Sequence, residues 1–335
     1  MKVLITGGNG FVGLNIIAAL LEAGYEVSAL VRPSSNTTHL DRFAVKKIQG
    51  ELTDAALLRK SMEGMDAVIH TAGMTSSDKN DSKKLHHTNV VCTKYICDAM
   101  LEAGVKRLVY TSTTSTIGAE NCRHAVADET HPLRGFRSKN PYGISKIKAE
   151  KLVLSATEKG LEGIILNPAE VVGAYDYNFQ WGRIVMAVFH NCLPFMPPGG
   201  GSFCHAREVG RAHVRALTQG RPGQRYILSG PGVVYREYVG KIMELLETNI
   251  DIPGESYWKT YLKAWLYERF SKRFPHMFRQ KPAAEAYRMR VFAGHYYFSS
   301  AKAKKELAYT TPALTEMLED SISWYRKVGI IAHGP

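Results

Sequence analysis

Short apolar runs alternate with amphipathic stretches through the first half of the chain. The apolar runs predict the strands Val3–Ile5, Glu26–Val31, Lys46–Gln49, Ala67–His70, Arg107–Thr111, Ile164–Leu166 and Arg225–Ser229. Apolar residues at helical spacing predict the helices Gly13–Ala23, Ala55–Met62, Thr88–Ala103, Pro141–Lys159 and Arg207–Leu217. Because strands that alternate with crossover helices are typical of a parallel sheet, the pattern indicates an α/β fold.

The regular alternation stops around Asp176–Ser202, where Gly, Pro and aromatic residues are frequent. This break predicts a boundary between two lobes, after which the chain returns to the sheet and leaves it again. From Glu255 to Tyr297 the composition becomes aromatic and basic, with Tyr257, Trp258, Tyr261, Trp265, Tyr267, Phe270, Phe274 and Phe278. Three interpretations of this segment stay open: a helix packed on the core, a lid over a bulky apolar substrate, and a peripheral contact with a membrane surface.

The charge of the chain favours small anionic ligands over nucleic acid. Its 335 residues carry a formal net charge of +12, but the basic residues are scattered and no base-reading motif accompanies them. Such a charge can draw anionic cofactors and substrates to an enzyme. We therefore expect no nucleic-acid partner.

The cysteine and hydropathy patterns favour a reduced, cytoplasmic protein. The five cysteines are an odd number without a CxxC pair, which argues against a disulfide framework and against zinc. The adjacent pair His86 and His87 has no third ligand at a suitable spacing, so we predict no metal. The chain contains no apolar run of eighteen residues, and its start lacks a signal-peptide pattern.

A glycine-rich segment between the first predicted strand and helix predicts a phosphate site. Residues 7–13, GGNGFVG, contain the pattern GxGxxG. Glycines let the backbone approach a pyrophosphate closely, and the helix N-terminus supplies unpaired N–H groups with a favourable dipole. The segment therefore predicts binding of a dinucleotide.

The residues after the second predicted strand indicate which dinucleotide binds. In this position an acidic residue holds a ribose 2′-hydroxyl, whereas an arginine accommodates a 2′-phosphate. Here the sequence Val31-Arg32-Pro33-Ser34-Ser35 has an arginine and no carboxylate. It favours NADP(H) over NAD(H).

The pair Tyr142 and Lys146 can supply acid–base chemistry for a carbonyl. Residues four apart lie on one face of a helix, so the phenol and the ammonium reach the same space. A hydride that moves onto a carbonyl leaves an alkoxide that needs a proton, and a tyrosine can donate it. The positive charge of Lys146 favours the tyrosinate that remains.

These segments together resemble the extended short-chain dehydrogenase/reductase family of the NAD-dependent epimerase/dehydratase type. The similarity rests on Thr6–Gly13, the YxxxK pair, the Asn167-Pro168 segment and the closing stretch Tyr297–Leu307. Within the family it is greatest to the branch of dihydroflavonol 4-reductases and 3β-hydroxysteroid dehydrogenases. The resemblance implies a Rossmann fold, a doubly wound parallel sheet with a smaller, mixed α/β C-terminal lobe, and makes a homodimer possible.

The resemblance also assigns domains and site residues. It implies an NADP(H)-binding domain of residues 1–168 and 205–230 and a substrate-binding lobe of residues 169–204 and 231–330. It implies a catalytic set of Thr113, Tyr142 and Lys146, with Ser112 as the alternative to Thr113. It implies cofactor contacts at Gly7, Gly8, Asn9, Gly10, Phe11, Val12, Arg32, Glu51, Leu52, Thr71, Ala72, Gly73, Asn89, Thr111, Tyr142, Lys146, Asn167, Pro168 and Val171, where Glu51 replaces the aspartate usual in the family.

The reaction expected from this resemblance is the NADP(H)-dependent reduction of a small-molecule ketone or aldehyde. The aromatic residues of the second lobe favour a bulky apolar or aromatic substrate. A nucleotide-sugar epimerase stays open, because Arg183, Arg207, Arg211 or the basic tract after Tyr257 could hold a diphosphate. A 4,6-dehydratase is disfavoured, since residues 113–115 lack an Asp-Glu pair, and a non-catalytic NADPH-binding regulator is the remaining alternative.

Overall fold

A computed structural model describes residues 1–250, 257–271, 273–274, 276–277 and 285–332, without the side chain of Lys79. Phe278 and several other positions of the aromatic and basic segment 255–297 lie outside the described residues. Within the described part of the chain, no helix has the length and apolar character needed to cross a bilayer.

The described residues contain twelve strands and twelve α-helices. The strands are β1 (Lys2–Thr6), β2 (Glu26–Val31), β3 (Lys46–Gln49), β4 (Ala67–His70), β5 (Arg107–Thr111), β6 (Val126–Ala127), β7 (Glu162–Pro168), β8 (Glu170–Val172), β9 (Gly200–His205), β10 (Arg225–Leu228), β11 (Gly232–Val234) and β12 (His295–Phe298). The helices are α1 (Phe11–Glu22), α2 (Ala55–Met62), α3 (Ser82–Leu85), α4 (Cys92–Ala103), α5 (Pro141–Glu158), α6 (Gly182–Phe189), α7 (Ala206–Gln219), α8 (Tyr235–Leu245), α9 (Tyr257–Phe270), α10 (Ala286–Phe292), α11 (Ala301–Leu307) and α12 (Leu314–Lys327).

Seven parallel strands form the main sheet, in the order β10-β7-β5-β4-β1-β2-β3. Within it, β1 pairs Ile5 with Ala29 of β2 on one side and with Ile69 of β4 on the other. All seven predicted strands are confirmed, and the predicted strand Ile164–Leu166 extends to Glu162–Pro168. The strand order reverses between β1 and β4, and such a reversal opens a crevice at the carboxyl ends of the strands.

Helices cover both faces of this sheet and bury its aliphatic strands. Side chains of α1, α7 and α11 pack on one face, and those of α2, α4 and α5 pack on the other. In β1, Val3 and Ile5 enter the first core and Leu4 enters the second. The expected doubly wound Rossmann architecture is therefore confirmed.

A second, smaller sheet joins short strands from distant parts of the chain. Its order is β11-β9-β12-β6, and β8 pairs with β9. Aromatic side chains of α6, α8 and α12 pack beside it, with Trp181, Phe203 and Tyr238 in mutual ring contact. The sequence pattern did not predict this sheet, because its strands are short and two glycines begin β9.

The predicted domain ranges disagree with the two sheets at two segments. Strand β6 falls within 1–168 but pairs with β12 of the second sheet. Helix α11 falls within 231–330, yet Ala303 and Leu307 pack into the core of the main sheet. The division into 1–168 with 205–230, and 169–204 with 231–330, stays a prediction.

Candidate active site

A cleft of about 340 Å³ lies at the carboxyl ends of the central strands. The loop after β1, the loop after β4, the end of β5 and the start of α5 contribute its walls. Among the predicted cofactor contacts, those that line it are Gly7, Gly10, Phe11, Val12, Thr71, Gly73, Thr111, Tyr142, Lys146, Pro168 and Val171. The crevice therefore gathers residues from segments far apart in the sequence.

Glycines shape the loop between β1 and α1. Gly7 has a φ of +72°, and a Cβ there would lie 2.5 Å from the backbone nitrogen of Ala72. A Cβ on Gly13 would lie 2.1 Å from the carbonyl oxygen of Gly7. Helix α1 begins after Gly10, whose lack of a side chain leaves the first-turn N–H groups without a capping acceptor. The loop therefore fits the pyrophosphate of a dinucleotide.

The other predicted cofactor contacts lie beside or behind the cleft. The residues that do not line it are Gly8, Asn9, Arg32, Glu51, Leu52, Ala72, Asn89 and Asn167. Gly8 packs on α1, since a Cβ there would lie 2.8 Å from Cδ1 of Ile17. Arg32 and Glu51 are exposed after β2 and β3, whereas Leu52 is buried. Their contacts with a cofactor stay predictions.

Asn89 supports the wall of the cleft from behind. It lies in a π-helical segment, His86–Val91, that connects α3 to α4. Its side chain accepts a hydrogen bond from the Met74 nitrogen at 2.8 Å and donates to the Met74 carbonyl and to Ser145 Oγ, both at 2.9 Å. Asn89 thus connects the loop after β4 to helix α5.

Helix α5 presents Tyr142 at its first turn. Pro141 opens the helix, and the side chain of Asn140 accepts a hydrogen bond from the Tyr142 nitrogen at 3.2 Å. Burial raises the pKa of the Tyr142 phenol to about 12, although a hydrogen bond with the Thr113 hydroxyl lowers it in part. The phenol is therefore protonated at neutral pH and can donate a proton.

The two hydroxyls predicted for the third position of the catalytic set have different surroundings. Thr113 lines the cleft and its hydroxyl bonds to Tyr142. Ser112 also lines the cleft, but its Oγ donates to the buried carboxylate of Glu150. The hydroxyl of Thr113 is therefore the one beside the phenol.

Lys146 lies one helical turn below Tyr142 and is almost fully buried, with 4% of its surface exposed. Its Nζ donates to the Thr111 carbonyl oxygen at 2.6 Å and lies 4.2 Å from the centre of the Tyr110 ring. Burial lowers the pKa of Lys146 to about 7, and the negative charge of Glu150 opposes this shift. The ammonium is held by a backbone carbonyl and a ring face instead of a nearby carboxylate.

Glu150 is a buried residue of the site that the sequence pattern does not single out. Its Oε1 accepts hydrogen bonds from Ser112, from Thr116 at 2.8 Å and from Asn167 at 2.9 Å. Its Oε2 lies 2.7 Å from a guanidinium nitrogen of Arg225. The available signal was spacing, because Glu150 follows Lys146 by four positions and shares its face of α5.

A second cavity, of about 230 Å³, adjoins the cleft, and we call it the side cavity. Tyr142 lines both spaces. Six further aromatic side chains line the side cavity: Trp181, Tyr235, Tyr287, Phe292, Tyr296 and Phe298. Its charged lining residues among the described part of the chain are Arg137, Arg183, Arg288 and Glu170.

The three arginines considered for a diphosphate do not lie together. Arg183 lines the side cavity, but Arg207 forms ion pairs with Glu316 and Glu208 on the outer surface. Arg211 pairs with Glu208 and Glu22. Within the described ranges, no group of three or more His, Cys, Asp or Glu side chains is arranged to hold a metal ion.

Comparisons with known proteins identify one family over most of the chain. The sequence pattern of the NAD dependent epimerase/dehydratase family matches residues 3–229. Sterol demethylase protein B of Methylococcus capsulatus is 28% identical over 99% of this chain and 100% of that protein. A dihydroflavonol 4-reductase-like protein of Synechocystis sp. is 28% identical over 98% of this chain and 95% of that protein.

A solved structure agrees with the fold. The crystal structure of the protein gox2253 superposes with a TM-score of 0.83 at 27% identity, over 98% of each chain. This similarity includes the second sheet as well as the main one, since it extends over nearly the whole chain.

Proposed function

Because the chain belongs to the NAD dependent epimerase/dehydratase family, we propose that it is an NADP(H)-dependent reductase that converts a ketone or aldehyde to an alcohol. The observation that carries this proposal is the position of Tyr142, which lines both the cleft and the side cavity. A carbonyl group at this junction would meet the phenol on one side and the cofactor cleft on the other. Thr113 adds a second hydroxyl next to Tyr142.

The chemistry divides between the cofactor and the side chains. When bound, the reduced nicotinamide supplies a hydride to the carbonyl carbon. Tyr142 donates its proton to the carbonyl oxygen, and its raised pKa of about 12 keeps that proton available at neutral pH. Thr113 orients the carbonyl oxygen, and the positive charge of Lys146 stabilises the phenolate left behind. The products are a secondary or primary alcohol and the oxidised cofactor, and solvent returns the proton to Tyr142.

The preference for NADP(H) rests on the residues that follow β2. Arg32 is exposed at the carboxyl end of this strand, and the four following residues include no carboxylate. A guanidinium there can pair with a 2′-phosphate, whereas a 2′-hydroxyl would lack its usual acidic acceptor.

Two alternatives are less well supported. An epimerase would need room for a nucleotide diphosphate, whereas the side cavity measures about 230 Å³ and aromatic rings form much of its wall. A non-catalytic regulator has no need for Thr113, Tyr142 and Lys146, which all line the cleft here. We further propose that residues 169–204 and 231–330 bind the substrate, because they supply most of the lining of the side cavity.

The test follows the absorbance of NADPH in the presence of the purified protein and a panel of aromatic, acyl and steroid-like ketones. Consumption of NADPH that Tyr142→Phe abolishes would support the reductase. Nucleotide sugars run in parallel test the epimerase. Conversion of a nucleotide sugar to its epimer without net consumption of NADPH would overturn the proposal.

A further inference from the structure

Three guanidinium groups from separate segments meet at the side cavity. Arg137 comes from the 3₁₀ turn Gly135–Lys139 before α5, Arg183 from the first turn of α6, and Arg288 from α10. The described lining contains one carboxylate, that of Glu170. If Glu170 is ionised, the lining still has a net charge of +2.

Among the described residues, none of these three arginines has an ion pair with a carboxylate. Arg137 instead stacks over the Tyr296 ring at 4.6 Å and near the Phe298 ring at 5.7 Å, and its buried Nη1 has no hydrogen-bond partner in the described part of the chain. Burial lowers the pKa of Arg137 and also that of Arg183, which the neighbouring charge of Arg288 lowers further. Cations held this way cost free energy that a bound anion would offset.

Glu170 does not neutralise this charge. Its Oε2 accepts a hydrogen bond from Nε1 of Trp181 at 2.5 Å. Burial raises the pKa of Glu170 despite the nearby arginines, and this favours its neutral form. The carboxyl oxygen is occupied by an indole, and one carboxyl group faces three guanidinium groups, so the arginines keep their capacity for a ligand.

The cofactor does not account for these arginines. The glycine loop lines the cleft and contributes no residue to the side cavity, so the pyrophosphate would bind elsewhere. The residue proposed for the 2′-phosphate, Arg32, follows β2 and lines neither space. The arginines therefore face the part of the site where the substrate would bind.

We propose that the substrate carries an acid group, a carboxylate or a phosphate, which Arg137, Arg183 and Arg288 bind while Tyr142 faces its carbonyl. This rests on the proposed reductase function and names its substrate class as an aromatic or aliphatic oxo acid. The rings around the arginines hold the apolar body of the molecule, and the guanidinium forks hold the acid group. It adds an acid group to the bulky apolar or aromatic substrate expected from the sequence.

The test measures binding and needs no turnover. Isothermal titration calorimetry on the NADP⁺-loaded protein compares 4-phenylbutanoate, its neutral amide and 3-phenylpropylphosphonate. We expect an acid to bind at least about tenfold more tightly than the amide, because only the acid forms charged hydrogen bonds with the guanidinium groups. The better of the two acids tells a carboxylate from a phosphate, and equal or undetectable binding of acids and amide would overturn the proposal.

Substitutions then test the arginines themselves. Arg137→Gln and Arg288→Gln should each weaken acid binding about tenfold and leave the amide unaffected, and Arg137→Lys should restore part of the loss. The matched control is Arg290→Gln, on the exposed side of the same helix as Arg288. If the acid binds as before to a folded Arg288→Gln protein and to Arg137→Gln, the assignment is wrong. Absence of turnover with every ketone would overturn the reductase but not this acid site.

A different surface carries a second inference. Helix α9 exposes Trp258, Leu262 and Trp265, which are 58%, 53% and 45% exposed and follow one another at helical spacing. The adjacent side of the helix buries Tyr257 and Ala264 against α10. Large apolar side chains in a row on a protein surface indicate a contact with another apolar phase.

The charges around this row favour an anionic surface. Between residues 257 and 274 the described cations are Lys259, Lys263, Arg269 and Arg273, against the single described carboxylate of Glu268, which accepts from the Ala286 nitrogen. Tryptophan with flanking basic residues is typical of helices that lie in the headgroup region of a bilayer. We infer that α9 docks the protein on an anionic phospholipid membrane.

Vesicle flotation tests this docking. The protein should float with phosphatidylcholine vesicles that contain 30% phosphatidylserine, and less with pure phosphatidylcholine. The reason is that each basic residue near an anionic surface contributes roughly 1 kcal/mol of binding free energy. The double variant Trp258→Ser, Trp265→Ser should lose flotation, whereas Val126→Ser, at an exposed apolar position on the second sheet, should keep it. No flotation of the unmodified protein, or self-association that the double variant abolishes, would overturn the inference.

Discussion

Lys146 donates from Nζ to the carbonyl oxygen of Thr111 at 2.6 Å, which fastens helix α5 to the end of β5. Lys146 follows Tyr142 by one turn of the same helix. Its side chain therefore connects the carboxyl end of β5 with the helix that carries the proton donor. The contact thus holds the helix that carries the phenol against the end of β5.

Replacement of Lys146 by alanine should therefore reduce both cofactor binding and catalysis. The change removes a buried charge near the cleft and the link to Thr111, so we expect turnover to fall by about 100-fold and NADPH binding to weaken several-fold. Stopped-flow binding and steady-state kinetics measure the two effects. Lys148→Ala, at an exposed position of the same helix, is the control, and unaltered kinetics of Lys146→Ala would contradict the assigned role.

Removal of the Tyr142 hydroxyl should separate proton transfer from cofactor binding. Tyr142→Phe keeps the ring but not the acidic proton, so turnover should fall by about 10²- to 10⁴-fold while the dissociation constant for NADPH changes less than about twofold. Tyr95→Phe, on α4, should leave both quantities unaltered. Full turnover of the Tyr142 variant would refute the phenol as the proton donor.

Arg32→Ala should affect the two cofactors differently. An exposed guanidinium that pairs with a 2′-phosphate contributes about 1–2 kcal/mol, so kcat/KM with NADPH should fall about tenfold while that with NADH changes little. Arg59→Ala, on the exposed side of α2, controls for a general loss of positive charge. Equal losses with both cofactors would exclude a contact of Arg32 with the 2′-phosphate.

Glu150→Gln should destabilise the protein. The carboxylate is fully buried, accepts three hydrogen bonds and pairs with Arg225, so loss of its charge should lower the free energy of unfolding by about 2–3 kcal/mol. Urea denaturation measures this. Glu158→Gln, exposed at the end of the same helix, should cost less than about 0.5 kcal/mol. A similarly small cost for Glu150→Gln would show that the carboxylate is replaceable.

Two buried histidines should make the fold sensitive to mild acid. Burial lowers the pKa of His213 to about 4 and that of His70 to about 3, and His213 donates to the Val209 carbonyl while it accepts from Thr111. As pH falls below 6.5 the unfolded state takes up protons that the native state does not bind. Each histidine should therefore lower the free energy of unfolding by about 1.4 kcal/mol per pH unit between about pH 6 and pH 4.5.

Chemical denaturation over this pH range measures the slope. His213→Gln should reduce this slope by the contribution of one histidine, about 1.4 kcal/mol per pH unit. The exposed His124→Gln should leave the slope unaltered. An unchanged slope in the His213 variant would mean that this histidine does not remain neutral in the native state.

The main sheet could be predicted from the sequence because its strands are buried on both faces. Val3, Leu4 and Ile5 form a continuous apolar run for that reason, and the following glycines mark where a helix and a ligand approach the backbone. The second sheet could not be predicted, since a strand such as Val126–Ala127 is two residues long and gains its pairing from β12, about 170 residues later.

The site shows the same division. Tyr142 and Lys146 could be predicted as a pair, because residues four positions apart share one face of a helix. Arg137 and Arg288 have no such spacing, because tertiary structure alone brings them to one cavity. Glu150 lies between these cases: its position on α5 was visible, but the partners that surround it come from three other segments.

The dispersed origin of the second sheet has a consequence for synthesis on the ribosome. Every strand of the main sheet has been made once residue 228 has left the exit tunnel, so the nucleotide cleft can assemble while translation continues. Strand β12, which lies between β9 and β6, ends at Phe298 and is synthesised later. The side-cavity residues Arg288 and Tyr296 are made in the same late part of the chain. The growing protein can thus form its cofactor cleft before the residues that complete the side cavity have been made.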